Sequence, residues 1–305
     1  MYCVFSADTL LPESLELSIR MSILVAVDGG GSRCRLAAFN ETGDLLARVN
    51  LESHASPSIS PTGAWRSIDQ GLRLLAIQLK KEPSWQPDFL MMGLAGSLQE
   101  SRRQELLQLI PSSVERDLVT DGHAQLLGAS GGAPGICLAV GTGSVVHWLD
   151  TDGQSGMAGG WGYPIGDEGS GAWLGMRLVQ RYVWHFDGQT NDSTLMDAVA
   201  GRVGTSVSDI QQWTTQSESS VLAQLAPLVF EHASAGDELA VSIVDEAVSH
   251  CMNLLRYAPE HLPVYIVGGV GDQLRPLLSE LLGGRVDKAR GDALHGLWQL
   301  ALKKI

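Results

Sequence analysis

The stretch that decides the fold is Asp28-Gly29-Gly30-Gly31-Ser32, a glycine-rich turn between short apolar runs at 23–27 and 35–39. Two such runs joined by a glycine turn predict a β-hairpin. Glycine permits positive φ and leaves backbone N–H groups free to face a phosphate. The alternative is an ordinary glycine-rich hairpin. Because the turn lies between two strands, it does not fit the strand-to-helix turn of a dinucleotide-binding fold.

The same pattern occurs again further along the chain. A predicted strand at 135–140 runs into Gly141-Thr142-Gly143-Ser144, and a second predicted strand follows at 145–150. Two glycine turns at equivalent positions can clamp a polyphosphate from both sides. The sequence contains no GxxxxGK[ST] motif, which excludes the alternative P-loop design.

Helical and strand patterns follow each hairpin, so we predict an α/β protein with two related lobes and a ligand cleft between them. We expect residues 21–131, together with a closing helix at 290–305, to form the first lobe. Residues 132–289 would form the second lobe, and residues 1–20 would be an N-terminal extension.

The amino-acid composition limits which kinds of binding partner and which cellular compartment are expected. The net charge of −13 opposes binding to nucleic acid or to an acidic membrane surface. No apolar run approaches the roughly 18 residues of a membrane span. The four cysteines are widely spaced and form no CxxC pair, which argues against a zinc ribbon and a disulfide framework. We therefore expect a cytoplasmic protein.

Two carboxylates stand where the predicted strands end. Asp28 can hold a hydrated Mg²⁺, an ion that prefers oxygen ligands and keeps several waters. Asp121 ends a short predicted strand just before a helix, where it can face the cleft and accept a proton from a substrate hydroxyl. Asp is also a preferred helix N-cap, so both interpretations of Asp121 stay open.

Gly268-Gly269-Val270-Gly271 follows another predicted strand, at 264–267. Its glycines would let a flat adenine ring lie close to the backbone, although a plain strand-to-helix turn has the same composition. The histidines show no metal-ligand spacing, and we interpret His54, His123, His147 and His295 as satisfied or solvated.

The most unusual stretch covers residues 159–171, GGWGYPIGDEGSG. An aromatic side chain beside carboxylates suits a sugar, because C–H groups stack on the ring and hydroxyls donate hydrogen bonds. A long surface turn is the alternative.

Taken together, these motifs resemble the BadF/BadG/BcrA/BcrD ATPase family, part of the actin, hexokinase and heat-shock chaperone superfamily. The resemblance covers about residues 22–303 and is closest to N-acetylglucosamine kinases and bacterial glucosamine kinase. It rests on motifs that occur in the family's order: Asp28–Ser32, Gly93-Leu94-Ala95-Gly96, Thr120-Asp121, Gly141–Ser144, 159–171, Gly268-Gly269, and Asp292, Ala293, His295 and Gly296.

The resemblance implies a two-lobed actin-like ATPase fold, built as a duplicated ribonuclease H-like unit. It implies a homodimeric kinase that uses ATP and Mg²⁺ to phosphorylate N-acetylglucosamine or glucosamine at the 6-hydroxyl. It further implies Asp121 as catalytic base and Asp28 as the metal-associated residue. The implied ATP-binding residues are Gly30, Gly31, Ser32, Thr142, Gly143, Gly268 and Gly269. The implied sugar-binding residues are Asp121, Ser144, Gly160, Trp161 and Asp167.

One position departs from the family pattern. Family members carry an Asn in an early Gly-x-x-Asn stretch that touches the sugar, whereas residues 53–58 here read SHASPS. Two alternative functions share the fold. An activator ATPase for a radical dehydratase would need cysteines that hold an iron–sulfur cluster, and a sugar-sensing protein would not need Asp121.

Overall fold

The computed structural model describes residues 22–31, 33–189 and 193–305, and these residues form two five-stranded sheets. The strands of the first sheet are β1 (Leu24–Gly29), β2 (Cys34–Phe39), β3 (Leu45–Leu51), β4 (Phe89–Leu94) and β5 (Glu115–Val119). The strands of the second sheet are β6 (Gly135–Val140), β7 (Ser144–Leu149), β8 (Ser155–Gly159), β9 (Val264–Val267) and β10 (Val286–Asp287).

The two sheets have the same topology. The first has the order β3-β2-β1-β4-β5, and the second, read from β8, has the order β8-β7-β6-β9-β10. In each sheet the first three strands form an antiparallel meander, and the other two run parallel to its first strand. The duplication expected from the two glycine hairpins is therefore confirmed, and the fold is the two-lobed actin-like ATPase fold.

Eleven helices lie in the described parts of the chain. The early ones are α1 (Pro61–Gln78), α2 (Glu100–Leu109), α3 (Asp121–Ser130) and α4 (Gly171–Phe186). They are followed by α5 (Thr194–Val203), α6 (Val207–Gln216), α7 (Ser219–Ala223), α8 (Ala226–Ser234), α9 (Glu238–Leu255), α10 (Gly269–Leu281) and α11 (Ala293–Leu302). None of the helices described combines the length and apolar character needed to cross a membrane.

Successive side chains of β1 and β2 point to opposite faces of the first sheet and pack into two separate hydrophobic clusters. Val25, Val27 and Leu36 face the cluster that includes α1, while Leu24 and Ala26 face the cluster that includes α11. This is the period-two pattern of a strand buried on both faces. The third core is larger and lies between the second sheet and its helices.

Helix α3 joins the two halves. It packs against α11 and β4 on the first side and against β6 and β7 on the second. Helix α11 in turn packs on β1 and β4, so the end of the chain returns to the first sheet. The residue at which one lobe gives way to the other remains our interpretation, and the predicted extension at 1–20 lies outside the described residues.

Several sequence-based element predictions were wrong. The pattern of residues 221–232 predicts a single helix, but the structure has two helices there, α7 and α8, and Pro227 in the first turn of α8 marks the start of the second. Helix α6 and strand β8 were not predicted. The sequence of β8 is SGMAG, which lacks the β-branched and aromatic residues that identify strands.

Candidate active site

A cleft of about 580 Å³ collects most of the predicted site residues. Its walls come from the β1–β2 turn, the β6–β7 turn, the start of α3, the segment after β8 and the end of β9. The lining includes Gly30, Gly31, Asp121, Thr142, Gly143, Ser144, Gly160, Asp167 and Gly268. Residues separated by more than 200 positions thus meet in one cavity, because the two hairpin turns face each other across α3.

The β1–β2 turn is held from within and from the neighbouring segment. The Gly30 amide donates to the Arg33 carbonyl at 2.9 Å, and the Gly30 carbonyl accepts from the Ala55 amide at 3.0 Å. Gly31 lies open to the cleft, with a place for a ligand against its backbone. Ser32, the last predicted ATP-binding residue of this turn, lies outside the described residues.

The β6–β7 turn is closed by a bond from the Gly141 amide to the Gly143 carbonyl at 2.9 Å. Thr142, at the tip, is exposed and faces both the cleft and the cavity beside it. The Ser144 hydroxyl donates to the Glu168 carbonyl at 2.8 Å. Ser144, predicted to contact the sugar, therefore also fixes the 159–171 stretch onto β7.

Asp121 is the first residue of α3 and lies in the wall of the cleft. The N-cap is Thr120, whose side chain accepts from the His123 amide at 3.1 Å. Thr120 therefore occupies the N-cap position, and the Asp121 carboxyl lies one residue further in, beside the Gly122 amide. Burial raises the pKa of Asp121; the Gly122 amide acts against this rise, and the charge of Asp28 adds to it.

The 159–171 stretch divides between the cleft and the surface. Asp167 lines the cleft, has a positive φ of 66°, and has its pKa raised by burial against the opposing effect of the Ser144 amide. Gly160 lines the cleft as well. Trp161 does not line it: the indole is 83% exposed. The structure therefore brings Asp167 and Gly160 to Asp121 and leaves Trp161 outside.

A second cavity of about 740 Å³ adjoins the cleft and shares Gly141 and Thr142 with it. Gly268 lines the cleft, and Gly269, the first residue of α10, lines the second cavity. Gly268 has φ of 97°, and a Cβ there would lie 2.3 Å from the Val140 carbonyl oxygen, so only glycine fits. The predicted strand-to-helix turn is present and also separates the two cavities.

The rest of the second cavity was missed from the sequence. Its lining includes Ala226, Pro227, Phe230, Glu231 and Ser234 of α8, and Val270 and Gln273 of α10. A helix pattern alone does not reveal which face lines a cavity. The sequence offered one indication of this region, Pro227, which marks where α8 starts.

Asp28 is the residue predicted to be associated with magnesium, and it is not among the residues that line the cleft. Its carboxyl is largely buried at the end of β1, and both hydrogen bonds that it receives from Arg35 go to Oδ2. Burial raises the pKa of Asp28, and the Arg35 guanidinium opposes that rise. Mg²⁺ is commonly bound by one or two carboxylates together with substrate phosphates. Within the described residues no cluster of three metal-ligating side chains occurs.

The segment that departs from the family pattern packs beside the cleft. The Ser56 hydroxyl donates to the Ala95 carbonyl at 2.7 Å, and Ala95 and Gly96 line the cleft. Ser56 therefore supports the cleft wall from behind.

The fold and the paired glycine turns define an actin-like ATPase. The model of the BadF/BadG/BcrA/BcrD ATPase family matches residues 25–270, and the chain belongs to this family. It is 27% identical to a glucosamine kinase from Vibrio cholerae over 93% of this chain and 97% of that protein. It is also 26% identical to an N-acetyl-D-glucosamine kinase from Dictyostelium discoideum, covering 87% of this chain and 90% of the relative.

Solved structures give the same fold. A protein from Chromobacterium violaceum, assigned as an N-acetylglucosamine kinase, superposes with a TM-score of 0.85 at 32% identity, over 92% of this chain and 99% of that one. A glucokinase of the ROK family from Streptomyces griseus superposes with a TM-score of 0.58 at 17% identity, over 92% and 99% of the two chains, and shares the fold alone.

Proposed function

We propose that this protein is an ATP-dependent kinase that phosphorylates an amino sugar, N-acetylglucosamine or glucosamine, at its 6-hydroxyl, with Asp121 as general base. The observation that carries the proposal is that Asp121 lines the same cleft as both glycine turns, with Thr120 rather than Asp121 in the N-cap position of α3. The full-length relatives that act on glucosamine and N-acetylglucosamine support the sugar class.

ATP is assigned to both cavities at once. The adenosine would occupy the second cavity, between Phe230 of α8 and the start of α10. The phosphates would then pass Thr142 and Gly143 toward Gly30 and Gly31, since the cavities join at the β6–β7 turn. Backbone N–H groups of glycine turns are suited to phosphate oxygens. This arrangement directs the γ-phosphate toward Asp121.

The sugar would lie on the other side of Asp121, near Asp167 and Gly160. In the transfer, the 6-hydroxyl oxygen forms a bond to the γ-phosphorus as the bond from that phosphorus to the β–γ bridging oxygen breaks. The hydroxyl proton passes to the Asp121 carboxylate, and ADP leaves with the bridging oxygen. A carboxylate with a raised pKa is a stronger base and suits this role.

Asp28 would hold Mg²⁺ through water or directly, and the ion would neutralise charge on the β- and γ-phosphate oxygens. Arg35 keeps the Asp28 carboxyl in position at the end of β1. Asp28 does not itself line the cleft, but its charge acts on Asp121, which does.

The dehydratase-activator alternative receives no support from the cysteines. Cys34, Cys137 and Cys251 are free and buried, so in the described chain no cysteine set is available to hold a surface cluster. The sugar-sensing alternative has no need for a base at Asp121, and the experiment below separates it from the kinase.

The test is Asp121→Asn in an ADP-release assay with Mg-ATP and a panel of hexoses and amino sugars. Asn keeps the shape but cannot accept the proton, so kcat should fall by roughly 10²–10⁴, the usual contribution of a general base. Sugar binding, measured by calorimetry, should persist, since the lost interaction belongs to the transition state.

Asp69→Asn is the matched control, because Asp69 lies on α1 in an exposed pair with Arg73 and does not line the cleft. It should turn over normally. If Asp121→Asn kept the kcat of the wild type, Asp121 would not be the general base. If the wild-type protein turned over none of the amino sugars, the proposed amino-sugar kinase function would be wrong.

A further inference from the structure

Gln125 is a cleft residue to which the proposed reaction gives no role. It belongs to α3, is half-buried and lines the cleft together with Asp121. Its amide makes no hydrogen bond to another described residue, and no other described lining residue carries a side-chain amide. Two N–H donors and one carbonyl acceptor are therefore free to bind a ligand.

The geometry of α3 places Gln125 on the open face of the helix. Ala124 and Gly128 pack on the side of β4 and α11, and Gly122 packs on β7. Residues 121 and 125 are one turn apart, so they lie on the same face, between those two packed sides. Asp121 and Gln125 therefore form one stripe on the cleft floor, with Gln125 about 6 Å further along the helix axis.

The Gln125 end of this stripe borders the nucleotide side of the cleft. Helix α3 packs on β6 as well as on β7, and the last residues of β6, Ala139 and Val140, line the cleft with Gln125. Strand β6 continues into the turn at Thr142 that the proposed ATP path follows. Gly268, at the other side of that path, lies against the Val140 carbonyl.

The cleft offers few groups that could neutralise the charge of a phosphate. Its described lining contains the carboxyls of Asp121 and Asp167 but no lysine or arginine. A γ-phosphate there depends on Mg²⁺ and on uncharged donors such as the N–H groups of the glycine turns. The backbone N–H of an interior helix residue is already bonded within the helix, so the side-chain amide is the donor that α3 can supply at this position.

The neutrality of Gln125 also suits the proposed role of Asp121. A lysine at position 125 would stand four residues from the Asp121 carboxyl, a spacing at which opposite charges on a helix interact. The cation would favour the ionised carboxylate, lower its pKa and make it a weaker base. A neutral amide donates to a phosphate without that effect.

We propose that the side-chain amide of Gln125 donates a hydrogen bond to a non-bridging oxygen of the γ-phosphate and so lets the cleft distinguish a nucleoside triphosphate from a diphosphate. The inference rests on the proposed function, since it assigns a contact to the nucleotide of the same reaction. In this arrangement Gln125 holds the phosphoryl group that the 6-hydroxyl attacks, one helical turn from the base, and does not contact the sugar.

The experiment measures nucleotide affinity by calorimetry, with Mg²⁺ and without sugar. The probes are ADP and the β,γ-methylene analogue of ATP, which resists cleavage at the γ-phosphate. Gln125→Met keeps the length of the side chain but removes both N–H donors. Its affinity for the triphosphate analogue should fall at least about tenfold, the usual cost of a hydrogen bond to a charged group, while its affinity for ADP should change little.

Two charged variants test the sign of the effect. Gln125→Glu keeps the shape and adds a negative charge, so it should bind the triphosphate analogue more weakly than Gln125→Met. Gln125→Lys should bind it at least as tightly as the wild type and yet have a lower kcat, because the cation weakens the base at Asp121. A general loss of folding would not give these opposite signs.

Gln70→Met is the matched control, since Gln70 is exposed on α1 and lines neither the cleft nor the second cavity. It should match the wild type with both nucleotides. Equal losses for ADP and the triphosphate analogue in Gln125→Met, or no loss for either, would overturn the contact. A loss confined to sugar affinity would overturn it as well.

Failure of this contact is distinct from failure of the kinase. If the wild type phosphorylates amino sugars and Gln125→Met binds both nucleotides normally, the kinase stands and the contact is wrong. If no sugar is phosphorylated but the preference for the triphosphate depends on Gln125, the contact stands and the proposed kinase function is wrong.

Discussion

At the residue scale, Asp121 illustrates how burying the carboxyl of the proposed base lowers the stability of the fold. Burial raises the pKa of its carboxyl in the folded chain. For such a group, folding stability is fully present below the unfolded pKa and is lost as pH rises through the folded pKa. The ionised carboxylate that the proposed reaction needs is therefore the less stable form in the fold.

Asp121→Asn should for this reason be at least as heat-stable as the wild type at pH 8. The advantage should shrink as pH falls to about 4, where the wild-type carboxyl is protonated. The measurement is the Tm of both proteins across that range, taken as a difference so that other carboxyls cancel. A variant less stable at every pH would mean that the carboxylate stabilises the fold.

At the element scale, the contact between α3 and α11 holds Asp121 in place. A Cβ on Gly128 of α3 would lie 2.0 Å from the Asp292 carbonyl oxygen at the start of α11. The Arg290 amide also donates to the Ala129 carbonyl at 2.9 Å, so the backbones are joined at this crossing. The two helices are close enough that only a hydrogen atom fits between them.

Gly128→Ala should therefore destabilise the protein by about 1–3 kcal/mol, the usual cost of overpacking. Gly201 is the matched control, since it is an interior residue of α5 with open space around it. Gly201→Ala should be neutral or stabilise by up to about 1 kcal/mol through better helix propensity. Urea unfolding of both variants tests the comparison, and equal effects would contradict the close contact.

At the scale of the whole molecule, the cleft mouth carries apolar side chains on both sides. Leu98 follows β4 and is 66% exposed, while Met157 on β8 is 37% exposed, and both line the cleft. Trp161 and Ile165 of the 159–171 stretch are also exposed. Neither glycine turn surrounds ATP alone, so we expect ligands to draw the two sheets together and cover these side chains.

Closure should appear as a smaller radius of gyration in small-angle scattering when ATP and sugar are both bound. Asp121→Asn is the protein to use, because slow turnover keeps both substrates in place during the measurement. The same variant without ligands is the reference. An unchanged radius with both ligands saturating would show that the cleft is preformed, and Trp161 would then have no closed state in which to reach the sugar.

The sequence by itself determined the local features. The two glycine hairpins and the strand that carries Asp28 depend on residues adjacent in the chain, where backbone geometry and alternation act directly. The family membership rests on motifs of the same local kind. The same holds for the turn at Gly268-Gly269, whose positive φ at Gly268 only glycine adopts easily.

Tertiary structure alone decided which surfaces meet. The cavity wall from α8 and α10 and the exposure of Trp161 each depend on packing between elements far apart in sequence. Thr120, rather than Asp121, is the N-cap of α3 because its side chain accepts a hydrogen bond from the His123 amide, and the amino-acid sequence alone does not reveal that bond. Periodicity shows that a side chain faces away from solvent, but a cavity forms only where two packed surfaces fail to fill the space between them.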